Sequence, residues 1–294
     1  MTVLDLPDGR RIEFLEGGDP SGALVVVHHA TPGSAVLDPE WSADAGARGL
    51  RLVTYARPGY GDSTRHPGRR VADAAADVAA LADHCGADRF LTWGWSGGGP
   101  HALACAALLP DRVVAAATLA SVGPYGAPGL DFLAGMGPGN IEEFSVVLAG
   151  GEAAIRAFAV PQAAVLGAVR AEDLVEPMAA HLTEVDRETL AGPLSATLAA
   201  QLRAAFRHGP DGWVDDDLAF VGPWGFDVAE IRVPVLLWQG REDAMVPPTH
   251  GAWLAQRIPG VEAHLSDTDG HLTLATTRLP GIQEWLRARW DAPA

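Results

Sequence analysis

The sequence predicts an α/β protein with a mostly parallel central sheet flanked by helices and a mainly helical insertion late in the chain. Three observations carry this. Short β-branched runs alternate with segments of helical period up to about residue 122, the pattern of strands joined by crossover helices. The run Ala23–His28 is apolar rather than alternating, which suits a strand covered on both faces. The alternation then breaks between about 123 and 229 and resumes at 234.

The elements follow in order. Residues 11–16 (RIEFLE) alternate and predict a strand with one exposed face. After the buried strand Ala23–His28, residues 51–55 predict another. Residues 71–84 carry apolar side chains at helical spacing through Val71, Ala75, Val78, Leu81 and Ala82. A strand at 90–94 runs into a helix at 100–109, and Val113–Leu119 is the next strand. In 123–229, proline–glycine breaks such as Gly135-Met-Gly-Pro-Gly139 separate helical stretches near 141–148, 153–158, 161–169, 173–182 and 193–206. Strands are expected at 234–239 and Glu262–Ser266, and helices at 250–258 and 279–290. The expected organisation is a core made of residues 1–122 and 230–294, with a helical cap over 123–229.

Of the 294 residues, 48% are hydrophobic, enough for a sizeable core. The net charge of −16 comes without any basic cluster, so nucleic acid and anionic membrane are set aside as partners. The acidity reads as solvated surface, including Glu142-Glu143 and the run Asp215-Asp-Asp217. The N-terminus lacks a basic segment followed by an apolar one, so no signal peptide is expected. No uninterrupted apolar run reaches membrane-spanning length. Cys85 and Cys105 fall on alanine-rich helical stretches and read as buried free thiols, in keeping with a reducing, cytoplasmic compartment.

The most informative stretch is Gly94-Trp95-Ser96-Gly97-Gly98, set between a strand and a helix. A turn that tight strains its apex, and flanking glycines let neighbouring backbone crowd in. Ser96 is thereby exposed beside a helix N-terminus, as a candidate nucleophile. A serine hydroxyl needs a base, and the base needs an orienting carboxylate. Asp243 stands just past the strand at 234–239, in Gly240-Arg-Glu-Asp-Ala-Met-Val-Pro247, where a carboxylate points to the catalytic edge. His271 follows the next strand on what reads as a loop, in Asp267-Thr-Asp-Gly-His271.

Each has a plainer reading. Asp243 could cap the helix near Pro248, and Glu242, Asp267 or Asp269 could orient the base instead. Of the ten histidines only His271 combines a C-terminal loop position with a preceding glycine, which makes it the expected base; His264 lies within a strand and His101 on the helix after Ser96. The oxyanion donors expected are the N–H of Gly97 and that of Thr31, with Ala30 as second choice, from the loop His28-His-Ala-Thr-Pro-Gly33. His29 reads as a brace for that loop. Trp95 and Ala30 are candidates for contact with substrate.

With these pieces in place, the chain resembles the α/β-hydrolase superfamily, in its capped branch with proline iminopeptidases, esterases and lactonases. The matching motifs are His29-Ala-Thr-Pro-Gly33, Arg57-Pro-Gly-Tyr-Gly-Asp-Ser63, the Ser96 pentapeptide, Gly240–Pro247 (GREDAMVP) and Gly270-His271. Ala30 and Ala56 depart from it, standing where relatives carry glycine and aspartate. The resemblance implies acyl transfer through a Ser96-acyl intermediate resolved by water, with no cofactor and no metal. The expected partner is a small-molecule acyl substrate, a carboxylic ester first. A cap carrying Phe132, Met136, Phe144, Phe158, Met178, Phe206, Trp213, Phe220 and Trp224 offers an apolar pocket. An aminopeptidase of the proline iminopeptidase type, whose cap acids would hold a substrate amine, is the alternative. Perhydrolysis as a side activity and a non-catalytic ligand receptor are the remaining readings.

Overall fold

A computed structural model describes residues 2–292. Eight strands form one sheet in the order β1-β2-β4-β3-β5-β6-β7-β8. They are β1 (Thr2–Asp5), β2 (Arg11–Gly18), β3 (Ala23–His28), β4 (Leu50–Tyr55), β5 (Phe90–Trp95), β6 (Val113–Leu119), β7 (Val235–Gly240) and β8 (Glu262–Ser266). β1 and β2 pair antiparallel at one edge, and β4, β3, β5, β6, β7 and β8 run parallel. Every residue of β3 and β5 is buried, as a two-sided cover requires. β1 was not legible as a strand: it has four residues, all exposed but the half-buried Leu4, and gives no periodicity to read.

The core helices are α1 (Pro39–Ala47), α2 (Ala74–His84), α3 (Gly99–Leu108), α9 (Pro248–Ala255), α10 (His271–Thr277) and α11 (Leu279–Asp291); the segment between β6 and β7 holds α4 (Pro138–Leu166), α5 (Val175–Met178), α6 (Glu184–Leu190), α7 (Leu194–Ala205) and α8 (Asp211–Val221). α1 is an element the sequence reading left blank. Its signal was present: Asp38 accepts from the N–H groups of Glu40 and Trp41, and Pro39 opens the first turn. α6 and α8 were also unread, and residues 173–182 form only a short turn and α5.

The three stretches expected at 141–148, 153–158 and 161–169 join into α4, bent at Gly151 (φ 59°, ψ −149°), with Pro161 inside it. By length and composition alone α4 is long and apolar enough to cross a membrane, its most apolar 18-residue stretch having mean hydropathy 1.4, although no single apolar run showed this. One face of it packs on α8 and α7. Cys105 is buried as expected, but Cys85 closes α2 and is half-buried; both are free.

Parallel pairing brings the C-terminal ends of β3, β5, β7 and β8 to one edge: His28 is level with Gly94, and Gly240 with Ser266. The loops that follow those strands meet there.

Candidate active site

Ser96 follows β5 directly and has φ 57°, in the left-handed region that a serine rarely enters. The strain is held by packing. A Cβ on Gly94 would overlap the Gly98 carbonyl, and one on Gly98 would overlap the carbonyl oxygen of His28. Only glycine lets the turn close this tightly. Beneath it, His101 donates from Nδ1 to the Gly97 carbonyl at 2.9 Å, and burial holds its imidazole well below its usual range. His101 is thus neutral packing.

Asp243 is buried beyond β7. Its Oδ1 accepts from the N–H groups of Met245 (2.9 Å) and Val246 (2.8 Å), and its Oδ2 from Gln239 Nε2 (3.2 Å) and His271 Nδ1 (2.9 Å). A carboxylate only accepts, so Nδ1 must carry the proton, which leaves Nε2 as the free lone pair of the neutral ring. Burial alone would lower the His271 pKa; the charge and hydrogen bond of Asp243, with a smaller share from Asp186, raise it above its ordinary value. The rivals lie elsewhere. Glu242 is exposed, Asp267 pairs with Arg241, and Asp269 with Arg278 and Thr277. Asp243 makes a local turn rather than the helix cap: α9 is preceded by Pro247 with no side-chain cap.

His271 is not on a loop, as the sequence suggested, but is the first residue of α10. The seven-residue helix was too short to show periodicity. Trp95 packs against the imidazole with ring centroids 5.6 Å apart and planes tilted by 32°, and donates from Nε1 to the His271 carbonyl at 3.2 Å.

Ser96, His271 and Trp95 line one cavity with Gly97, Thr31 and Ala30; Ser96 and His271 share no hydrogen bond among the described residues. Catalytic hydrogen bonds of this kind are often long before substrate binds. The Gly97 peptide lies so close to Thr31 that a Cβ there would overlap the threonine side chain. The loop itself is pinned from below. Arg57 donates to the carbonyls of His29 (2.5 Å) and Ala30 (3.1 Å) and to Thr31 Oγ1 (2.8 Å), and the Arg57 N–H donates to His29 Nε2 (3.2 Å). His29 braces the loop, as expected.

The acidic run in α8 is not solvated surface. Asp215, Asp216 and Asp217 are all buried. Charge here does not mean exposure; the cations that admit Asp215 and Asp216 lie far away in sequence. Asp215 pairs with Arg65 at 2.8 Å. Asp216 accepts from Arg57, Arg69, Tyr60 and the Thr31 hydroxyl. Burial would raise its carboxyl, but the two guanidinium groups hold it well below the usual carboxylate range.

Among the described residues, Asp217 has no such partner. It lines the cavity together with Glu143, which Trp213 Nε1 donates to at 2.5 Å, while the neighbouring Glu142 is exposed. Burial, and then the nearby charge of Glu143, push Asp217 well above its ordinary value; burial raises Glu143 too. Both shifts favour the neutral form of the acids. Of the cap's aromatic and methionine residues, some of which were expected to line a pocket, Met136, Phe144, Phe158, Met178, Trp213 and Phe220 do. Phe132, Phe206 and Trp224 pack elsewhere, Phe132 on His250 and Phe144, and Trp224 on Phe226.

A family model described as alpha/beta hydrolase fold matches residues 23–276. A search of the curated proteins finds no match. Among solved structures, a hydrolase from Pseudomonas aeruginosa PA01 is 21% identical, with 99% of this chain and 98% of that one covered and a TM-score of 0.66. A thermophilic esterase from Thermogutta terrifontis is also 21% identical (98% of each chain, TM-score 0.64). The enol-lactonase from Burkholderia xenovorans LB400 is 18% identical (99% and 100%, TM-score 0.62).

Proposed function

Because the chain belongs to the α/β-hydrolase fold family, we propose that it is a serine hydrolase that cleaves small carboxylic esters or related acyl compounds through an acyl-Ser96 intermediate. The observation that carries this reading is the Asp243–His271 hydrogen bond beside a left-handed Ser96 that opens into the same cavity. In this reading His271 Nε2 takes the Ser96 proton as Oγ attacks the acyl carbon. Asp243 holds the tautomer and stabilises the imidazolium. The N–H groups of Gly97 and Thr31 receive the oxyanion, each worth about 3 kcal/mol by the usual scale of such donors. His271 then protonates the leaving alcohol, and water repeats the sequence on the acyl-enzyme. The helical insertion serves as cap, with its apolar wall facing the acyl or alcohol part.

A fluorophosphonate probe tests this. One adduct on Ser96 in intact-mass and peptide maps, absent from Ser96→Ala, together with turnover of aryl esters, is the expected result. A folded protein that takes no adduct and turns over no ester overturns it in favour of a ligand receptor, for which Ser96→Ala would bind ligand as tightly as the native chain.

One observation favours a second reading. Glu143 and Asp217 sit in the cavity without a cation, and an ammonium group would relieve their shared burial. An aminopeptidase would use them to hold a substrate amine. Faster cleavage of amino-acid arylamides than of neutral aryl esters would decide for it.

A further inference from the structure

The N-cap residue of the helix that begins with His271 offers no capping side chain; from within the segment, the Thr273 hydroxyl accepts only the Gly270 N–H, at 2.6 Å, not the N–H groups of the first turn. Gly270 occupies the N-cap position, in extended conformation (φ −92°, ψ −155°), and glycine has no acceptor to offer the orphan N–H groups of the first turn. The acceptor comes from 85 residues earlier in the chain. Asp186, on α6 of the insertion and fully buried, accepts from the N–H groups of His271 (2.8 Å, to Oδ2), Leu272 (2.7 Å, to Oδ1) and Thr273 (3.3 Å, to Oδ1). The Thr183 hydroxyl donates to the same carboxylate at 3.3 Å. Glycine at 270 is also what makes room: a Cβ there would stand 2.5 Å from Asp186 Oδ1.

We propose that Asp186 is a positioning residue for His271, supplying from the insertion the helix cap that the base's own segment lacks, so that the imidazole is set in place only while the insertion is seated on the core. This rests on the hydrolase reading above. A buried carboxylate is costly unless its oxygens are satisfied, and here three of its four bonds go to the first turn of α10. Lifting α6 would rehydrate both sides at once and leave the turn that carries His271 uncapped. What else holds the residue is Asp243 on Nδ1 and Trp95 on the carbonyl and ring face. The charged and titratable groups facing the imidazole are Asp243 after β7, Asp186 on α6, and His181 in the segment before α6, whose own pKa is lowered by burial first and by His271 second. Asp186 thus acts on His271 twice, through its backbone and through its charge.

The test compares native protein with Asp186→Asn and Gly270→Ala, which break the contact from opposite sides, and with Leu190→Ala, which removes a buried side chain of the same helix. The His271 imidazole is titrated by NMR, and kcat and KM for an aryl ester are measured per fluorophosphonate-titrated site. The expected result is that Asp186→Asn and Gly270→Ala lower the His271 pKa and move the acid limb of kcat/KM to lower pH. Their kcat falls on the order of 10- to 100-fold, the scale of a small misplacement of a catalytic group, with KM little changed. Leu190→Ala loses stability but keeps the native titration and kcat per site. An unchanged His271 titration in both contact variants overturns the proposal. The same shift in Leu190→Ala would overturn it too, because the effect would then be general loosening. The NMR arm decides even if native protein cleaves no ester, an outcome that counts against the hydrolase reading instead.

Discussion

Replacing Asp216 with asparagine removes one charge from beneath two buried cations. The side chains of Arg57 and Arg69 are 1% and 3% exposed, and that of Asp216 not at all. Its carboxylate takes hydrogen bonds from Arg57, Arg69, Tyr60 and Thr31, so no solvent replaces it when the charge goes. Breaking a buried pair from one side costs about 3–5 kcal/mol, because the partner stays desolvated and unpaired. Against a usual total of about 5–15 kcal/mol, that is a large fraction of the fold's stability. Urea unfolding at neutral pH should show a lower midpoint with an unchanged slope. The difference between native and variant should shrink in acid. A depressed carboxyl pKa contributes stability above its unfolded value of about 3.9 and loses it as pH falls through the folded value. A loss below about 1 kcal/mol, the range of exposed pairs, would refute the argument and mean that water reaches the cluster.

Other expectations follow from the same contacts. Asp243→Asn should leave the fold intact and lower kcat by about 10⁴-fold, since the amide favours the wrong imidazole tautomer; steady-state kinetics on an aryl ester checks it. The raised His271 pKa should put the acid limb of kcat/KM above the ordinary histidine value of about 6.5, because only the neutral ring accepts the serine proton. Its contribution to stability has the opposite sense: present in full below that value and lost as pH rises through the folded pKa, as unfolding curves across the range should show. Asp217→Asn should stabilise the protein at neutral pH, with a gain that fades on acidification, because the native group must stay protonated; paired urea titrations in acid and at neutral pH test this.

What was legible in the sequence was local or ordered. Strand, glycine-flanked serine and helix are contiguous, so their geometry follows from backbone sterics alone. Asp243 and His271 each stand just past a strand, and a parallel sheet brings such positions to one edge whatever lies between. The unread parts depend on partners distant in sequence. Residues 215–217 look like a solvated run until Arg57, Arg65 and Arg69 are known to face α8. Asp186 has no motif, because its partners are peptide N–H groups; the one trace was a glycine where a capping side chain belongs, just before His271. α4 was read as three pieces for a different reason: Gly151 and Pro161 are local breaking signals, and packing carries the helix across them.

Two carboxylates of the insertion grip the core at the two places where chemistry is expected, Asp216 under the Thr31 loop and Asp186 at the start of the His271 helix. The segment is therefore a poor interchangeable part. A chimera that exchanged everything between β6 and β7 would carry off the fastenings of the Thr31 loop and of the His271 helix along with the pocket wall. An engineer seeking a new substrate range should keep α6 and α8 and diversify α4, α5 and α7. If the proposed chemistry holds, the boundary between recognition and reactivity runs through the inserted segment, not along its edge.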